Sequence, residues 1–369
     1  MEFDYRELVK ATESFSCSSL LGKGSHGCVY KAVLHDDHHR LPNVVAIKRA
    51  SFNGREVFLE NSKKLNNEIQ VLSSLSDHEN LNVVNYLGTS SDCENQNKLL
   101  VMEFLPNASL YNLLHNSSSS GSPPPSWPKR VEIAIQIAKA IHFLHEVANP
   151  VIIHRDIKSS NILLDANWIP KLVDFGLAVD ASSITSQPVQ PAGTIGYLDP
   201  CYTSPNKLSR KTDMFSFGVV LLEIISCRKA IDVSKQPASI VEWATALIKE
   251  KRAMEICDTS VSLPSYMEGT IKHMLNLAAR CVSLEEDNRP EIGEVFMVET
   301  CFVERVRTIP IWMSLWGSVM RMRRRQRRSD FPSKKQLCDR DNDNGDNICS
   351  DISRGKMILR EILADISLK

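Results

Sequence analysis

His154-Arg155-Asp156-Ile157-Lys158-Ser159-Ser160-Asn161 is followed a short way along the chain by Asp174-Phe175-Gly176. Together they offer a carboxylate that can accept a proton, a lysine that can meet a phosphate, and an amide and second carboxylate of the kind that hold magnesium. Phosphoryl transfer needs that set. The attacking hydroxyl must be aligned with phosphorus, and the charge that develops on the phosphate oxygens must be neutralised. Either tripeptide core alone turns up by chance. In this order and spacing, the bland reading of polar residues on a solvated loop loses to the chemical one.

Upstream, Gly22-Lys23-Gly24-Ser25-His26-Gly27-Cys28-Val29 fits G-x-G-x-x-G-x-V. Glycines let two strands and their turn lie close over a nucleotide's phosphates. The competing readings are a plain Gly-rich hairpin and a dinucleotide fingerprint. The fingerprint wants a helix straight after the glycines, whereas Cys28-Val29-Tyr30-Lys31-Ala32-Val33 reads as a strand. Val45-Ala46-Ile47-Lys48 is a second short apolar strand ending in the lysine expected to hold α- and β-phosphates. Its bland alternative is a solvated strand end. Glu68 is the expected partner of Lys48. Ile69, Leu72 and Leu75 recur at helical spacing, and Glu68 sits beside their apolar face; Glu60 is the competing choice.

Longer matches carry a resemblance. Phe3-Asp4-Tyr5-Arg6-Glu7-Leu8 with Ala11-Thr12 and Phe15-Ser16 forms a lead-in, and Leu99 to Leu110 a hinge. Gly193-Thr194-Ile195-Gly196-Tyr197-Leu198-Asp199-Pro200 forms the end of an activation segment, and Lys211 to Val219 a central helix. In these the chain resembles plant receptor-like serine/threonine kinases of the Pelle-related group, over roughly residues 3 to 300. The resemblance implies an α+β, two-lobed protein kinase fold, with a small β-rich N-lobe holding one helix and a larger, mainly helical C-lobe. It implies ATP with Mg²⁺ or Mn²⁺, a protein substrate, and a membrane receptor kinase as partner. Nucleotide contacts are expected from Leu21, Gly22, Lys23, Gly24, Ser25, His26, Gly27, Cys28 and Val29. Ala46, Lys48, Met102, Glu103, Leu105 and Leu163 complete them, with Val29, Ala46 and Leu163 around the adenine. Asn161 and Asp174 are the expected metal ligands. Lys48 held by Glu68, Asp156 as proton acceptor, Lys158 on the γ-phosphate and Thr194 bound back to Asp156 and Lys158 form the expected catalytic set. Lysine at 158 is the serine/threonine choice. Arg155 needs an anion, which in such kinases is a phosphorylated activation loop; Ser182, Ser183, Thr185 and Ser186 lie in that segment.

Two positions depart from the pattern. Cys201 stands where a glutamate normally pairs with a buried arginine, here Arg289. An arginine left buried and unpaired costs about 3–5 kcal/mol, so Arg289 must find another acceptor or the segment is loosely anchored. His26 replaces the aromatic common at the tip of the glycine loop. The second functional class, a pseudokinase scaffold that binds a receptor kinase, rests on Cys201 alone.

The elements around these residues fit 369 residues, too many for one small domain. Residues 1–18 read as a leader, helical through Leu8, Ala11 and Phe15. The kinase domain is expected over 19–300: N-lobe 19–101, hinge 102–105 and C-lobe 106–300. Thr89 to Asn97 and Asn116 to Ser126 read as loops, Arg130 to His145 as a long helix, and about 209 to 300 as helical. Apolar residues are 43% of the chain and formal net charge is zero, which gives a real core and no nucleic-acid signature. Ten cysteines without a C-x-x-C pair speak against a zinc ribbon or disulfide scaffold. Met1-Glu2-Phe3-Asp4 is unlike a signal peptide, and Glu at position 2 excludes myristoylation. With no run of about 18 apolar residues, the expected place is the cytoplasm, at its closest the inner face of the plasma membrane. Residues 301–369 form a tail. In it Ile309 to Met320 is apolar and Arg321, Arg323, Arg324, Arg325, Arg327 and Arg328 follow. That segment fits a membrane interface with anionic lipid, a nuclear localisation signal, or a helix packed on the C-lobe. Residues 339–347, rich in Asp and Asn, read as disordered.

Overall fold

Side chains alternate across a strand, and in the N-lobe this parity decides what faces the cleft. In the computed structural model, β1 (Leu20–Lys23), β2 (Gly27–Val33), β3 (Val44–Ala50), β4 (Tyr86–Ser91) and β5 (Lys98–Glu103) form one antiparallel sheet, ordered β1-β2-β3-β5-β4. The structure describes residues 1–295, apart from 25, 35–43, 53, 77–79, 93–97, 117–123, 185–188, 203, 205 and 206. The register pairs Val29 with Lys48 and Ala46 with Met102. Val29, Ala46, Lys48 and Met102 therefore share the cleft face, while Val45, Ile47, Leu99 and Val101 are buried on the other.

The chain's own N-terminus covers that second face. Helix α1 (Tyr5–Ala11), capped by the Asp4 carboxylate, places Leu8 in one apolar cluster with Val45, Ile47, Leu99 and Val101. The Phe3 N–H donates to the Thr89 carbonyl at 2.8 Å, and Thr89 N–H to the Met1 carbonyl at 3.0 Å. A Cβ on Gly88 would lie 2.1 Å from the Met1 oxygen, so glycine there makes the docking possible. The leader helix stops short of Phe15. Glu13, Ser14 and Phe15 all take left-handed φ, 52 to 59°, and the Thr12 hydroxyl turns back to the Leu8 carbonyl at 2.8 Å. Phe15 still reaches the sheet, edge-on to Tyr30 at 5.2 Å. The Thr89–Asn97 loop is also shorter than expected, since Thr89 to Ser91 belong to β4; 93–97 lie outside the described residues.

Helix α2 (Arg55–Leu75) is longer than its readable C-terminal half and buries Leu65, Glu68 and Leu72. Met102 and Glu103 belong to β5, so only the end of the expected hinge is extended chain without strand pairing. The C-lobe begins with α3 (Leu110–His115), and α4 (Trp127–His142) follows. The latter starts three residues before the expected Arg130, because Ser126 and Pro128 supply a start signal that lies ahead of the apolar periodicity. It gives way at Phe143–Val147 to a wider π turn. Short strands β6 (Ile152–Ile153), β7 (Ile162–Leu164), β8 (Pro170–Leu172) and β9 (Val179–Asp180) pair as β6 with β9 and β7 with β8. Among the described residues, the stretch expected to be helical from about 209 holds α5 (Arg210–Ser226), α6 (Ile240–Lys249) and α7 (Glu268–Cys281) with turns between, and is helical again over 292–295. Helix α5 is buried along nearly its whole length. It meets α7 at Gly218, where a Cβ would come 2.5 Å from the Cys281 Cβ.

Candidate active site

The β7–β8 hairpin and the loops around it bring the singled-out residues beneath the N-lobe sheet. Lys48 Nζ donates to Glu68 Oε2 at 2.6 Å and to Asp174 Oδ1 at 2.7 Å. Glu60, the competing partner, instead pairs with Lys64 at 2.7 Å and is largely exposed. Burial works against the charge on Lys48, but the Glu68 and Asp174 carboxylates outweigh it and raise its pKa above the ordinary lysine value. Burial also pushes Asp174 up, and Lys48 more than reverses this, down to about 2. Burial pushes the Glu68 carboxyl up against the pull of Lys48. The lysine is therefore charged, and its buried partner is the harder of the two carboxylates to keep ionised.

A second cluster forms around Asp156. Thr194 Oγ1 donates to Asp156 Oδ1 at 2.6 Å, and Lys158 Nζ to Asp156 Oδ2 at 2.7 Å and Thr194 Oγ1 at 2.8 Å. Asn161 Nδ2 donates to Asp156 Oδ2 and to its carbonyl, both at 3.0 Å. The Asn161 amide nitrogen is thus used inside the cluster, and its oxygen is the acceptor available to a cation. His154 is held neutral by burial, which lowers its pKa. Its Nδ1 accepts the Asp156 N–H at 3.2 Å and its Nε2 faces the Val173 carbonyl at 3.2 Å, which fixes the proton on Nε2.

Between the two clusters lies a cleft of about 770 Å³, within the usual range for small-molecule sites. Of the expected nucleotide contacts, Leu21, Gly22, Lys23, Gly24, His26, Gly27, Val29, Ala46, Lys48, Met102, Glu103, Leu105 and Leu163 line it. Cys28 does not. It has the opposite strand parity to Val29, and its thiol sits beside the Tyr30 hydroxyl on the sheet's other face. Ser25 lies outside the described residues. Among the described residues no three or more His, Cys, Asp or Glu side chains form a cage for a metal. Asn161 and Asp174 both line the cleft, and such a pair suits a magnesium whose remaining ligands are phosphate oxygens and water.

Several supports were not singled out in the sequence. Asp213 on α5, fully buried, accepts the His154 and Arg155 N–H groups, each at 2.8 Å. Burial raises the Asp213 pKa, and the His145 hydrogen bond and charge bring it below the ordinary value. Asn67 ties α2 to the Asp-Phe-Gly stretch through the Phe175, Gly176 and Ala178 carbonyls, at 2.9 to 3.3 Å. Glu223 accepts from Tyr197 at 2.8 Å and Ser159 at 3.1 Å. Asp213 lies within the matched Lys211 to Val219 stretch, but its bonds to residues 154 and 155 are to backbone, which no pattern of residue types displays.

Residues 15–299 match the model of the protein kinase domain. The chain belongs to the protein kinase family. A serine/threonine-protein kinase-like protein of Arabidopsis thaliana is 51% identical over 89% of this chain and 95% of its own length. A second one is 45% identical over 83% of this chain and 81% of itself. A wall-associated receptor kinase-like protein of the same plant is 37% identical over 79% of this chain, which spans 44% of that relative. The kinase is of the serine/threonine class, in the circle of the plant receptor-like kinases. Among the described residues no helix is long and apolar enough to cross a membrane.

In the activation segment Arg289 takes the first of its two alternatives, another acceptor. Arg289 is not stranded by Cys201: Asp199 grips its guanidinium through both oxygens, at 2.6 and 2.7 Å. The Arg155 guanidinium donates to the Leu177 and Gln190 carbonyls and to the Tyr202 hydroxyl, at 3.0, 2.5 and 3.0 Å. Ser182 lies in a turn with its hydroxyl on Asp180 at 2.7 Å. Thr185 and Ser186 are outside the described residues.

Proposed function

We propose that this kinase transfers the γ-phosphate of ATP to serine and threonine hydroxyls of a protein partner, in signalling downstream of a membrane receptor kinase. The observation that carries the reading is the Asp156–Thr194–Lys158–Asn161 cluster beside a nucleotide-sized cleft that holds Lys48, Glu68 and Asp174. Asp156 orients the incoming hydroxyl and takes its proton. Lys158 meets the transferred phosphate, and Thr194 fixes both groups against the peptide. Lys48, braced by Glu68, holds the inner phosphates. Asn161 and Asp174 would hold magnesium, which supplies charge neutralisation when bound. Val29, Ala46 and Leu163 enclose the adenine. The scaffold reading drew its support from Cys201, and the pairing of Arg289 with Asp199 favours the active kinase over it.

Purified protein with ATP and Mg²⁺ or Mn²⁺ is expected to label itself and casein, with phosphoserine and phosphothreonine in excess of phosphotyrosine on acid hydrolysis. Label mainly on tyrosine would mean that Lys158 does not select the acceptor, and no label would return the scaffold reading.

For localisation we infer the cytoplasm and a contact of residues 309–328 with the inner face of the plasma membrane. These residues lie outside the described ones, and the inference stands on the twelve-residue apolar stretch and the six arginines after it. Each arginine near an anionic surface contributes about 1 kcal/mol, screened by salt. The 309–328 segment fused to a fluorescent protein is expected at the plasma membrane, and in the cytosol once the six arginines become glutamine. Nuclear accumulation or a diffuse signal from the unaltered fusion would overturn the contact.

A further inference from the structure

We propose that Asp199 is the anchoring carboxylate of the activation segment in this kinase, taking over a role displaced by two residues, and that Cys201 has become a neutral filler beside it. The inference rests on the kinase reading above for its catalytic consequence. Its structural part stands alone.

A guanidinium has five N–H groups in a rigid fork. On Arg289, 1% exposed, all five are engaged. Nε donates to the Ser283 carbonyl at 2.9 Å. One terminal nitrogen donates to Asp199 Oδ2 at 2.6 Å and the Lys211 carbonyl at 3.2 Å. The other donates to Asp199 Oδ1 at 2.7 Å and Cys201 Sγ at 3.2 Å. The Cys201 thiol in turn donates to the Leu284 carbonyl at 2.9 Å. Replacing Cys201 by glutamate would free only the one N–H that Sγ now accepts; anything more would have to be taken from a bidentate pair whose two members are each nearly fully buried, Asp199 at 2% exposure. Asp199 also accepts the Cys201 N–H at 2.8 Å, and its carbonyl accepts the Tyr202 N–H at 3.1 Å. The same residue therefore pins the segment and turns it.

The pin has a short lever to the chemistry. Four residues separate Asp199 from Thr194, whose hydroxyl is bonded to Asp156 and Lys158. Within that span the Tyr197 carbonyl accepts from Ser216 Oγ at 2.8 Å, and its hydroxyl reaches Glu223. Asp199 is thus a positioning residue. It holds the stretch that fixes the protein substrate, at a distance from the nucleotide cleft.

The test compares wild type, Asp199→Asn, Cys201→Glu and the double variant in the full chain. Steady-state kinetics use casein and ATP, and hydrogen exchange follows residues 193–202. Asp199→Asn is expected to lower kcat/KM for casein by about tenfold or more, as small misplacements near a reacting group do, with the KM for ATP within about twofold of wild type. Its 193–202 amides should exchange faster. Cys201→Glu alone should leave rate and exchange unchanged. The double variant, with a carboxylate returned two residues along, should recover most of both losses. A gain in activity and protection from Cys201→Glu alone would overturn the proposal, as would an Asp199→Asn variant equal to wild type. So would a double variant no better than Asp199→Asn. If wild type is inactive, the kinase reading fails while the exchange data still decide the anchor.

Discussion

Asp156→Asn is expected to lower kcat by about 10²–10⁴-fold, the range for removing a positioned general base, while ATP binding and melting temperature stay close to wild type. Asparagine has nearly the same shape; with its oxygen in the place of Oδ2 it keeps the bonds from Lys158 and Asn161, and its amide N–H can donate to the Thr194 oxygen at the other position. What it cannot do is take a proton. The Lys158 side chain is 16% exposed, so water can compensate for the charge it loses as a partner. Turnover with MgATP and casein checks the first half, and nucleotide titration with thermal melting checks the second. Turnover within about twofold of wild type would remove Asp156 from the proton path.

Lys48→Met is expected to abolish measurable turnover and to destabilise the fold by about 3 kcal/mol near neutral pH, the low end for stranding a buried charge. The lower end applies because Asp174 is 24% exposed and can turn to water, whereas Glu68 is 2% exposed and cannot. The sign of the pH dependence follows from Glu68. Burial already holds its folded pKa above the ordinary glutamate value, and losing the lysine raises it further. A raised folded pKa gives stability that is present at low pH and lost as pH rises through it. The deficit of Lys48→Met should therefore shrink from pH 7 towards pH 5, as Glu68 takes up a proton. Urea unfolding of both proteins at the two pH values measures this. A deficit that stays level or grows on acidification would show that Glu68 is not the stranded group.

What the sequence revealed divides along a physical line. Chemistry carried by residue type was legible: Lys48, Glu68, Asp156, Lys158, Asn161 and Asp174 announce themselves, and the fold brings them into two adjoining clusters. Strand parity is legible too: it turns Val29 to the cleft and its neighbour Cys28 away from it, against the expectation from the glycine motif taken as a block. Choices between two nearby acceptors were not legible. Asp199 and position 201 are two residues apart and both touch Arg289, and only the turn at Pro200 decides that the bidentate grip comes from 199. Bonds to backbone, such as those of Asp213 and Asn67, leave no signature in residue spacing. Helix ends were missed where a side chain overruled periodicity, as Thr12 does before Phe15.

The docking of Met1 and Phe3 on Thr89 makes the N-terminus a handle on the cleft. Load applied there passes to β4, then through its ladder to β5 and Met102, which lines the nucleotide site. A fusion partner attached ahead of Met1 hangs from that sheet. A truncation drawn at residue 19, where the glycine-loop strand nearly begins, would strip the cover from Val45, Ile47, Leu99 and Val101 and leave a bare apolar face on the lobe that must grip ATP. For anyone cutting this gene into expressible pieces, residues 3 to 15 pack as part of the N-lobe.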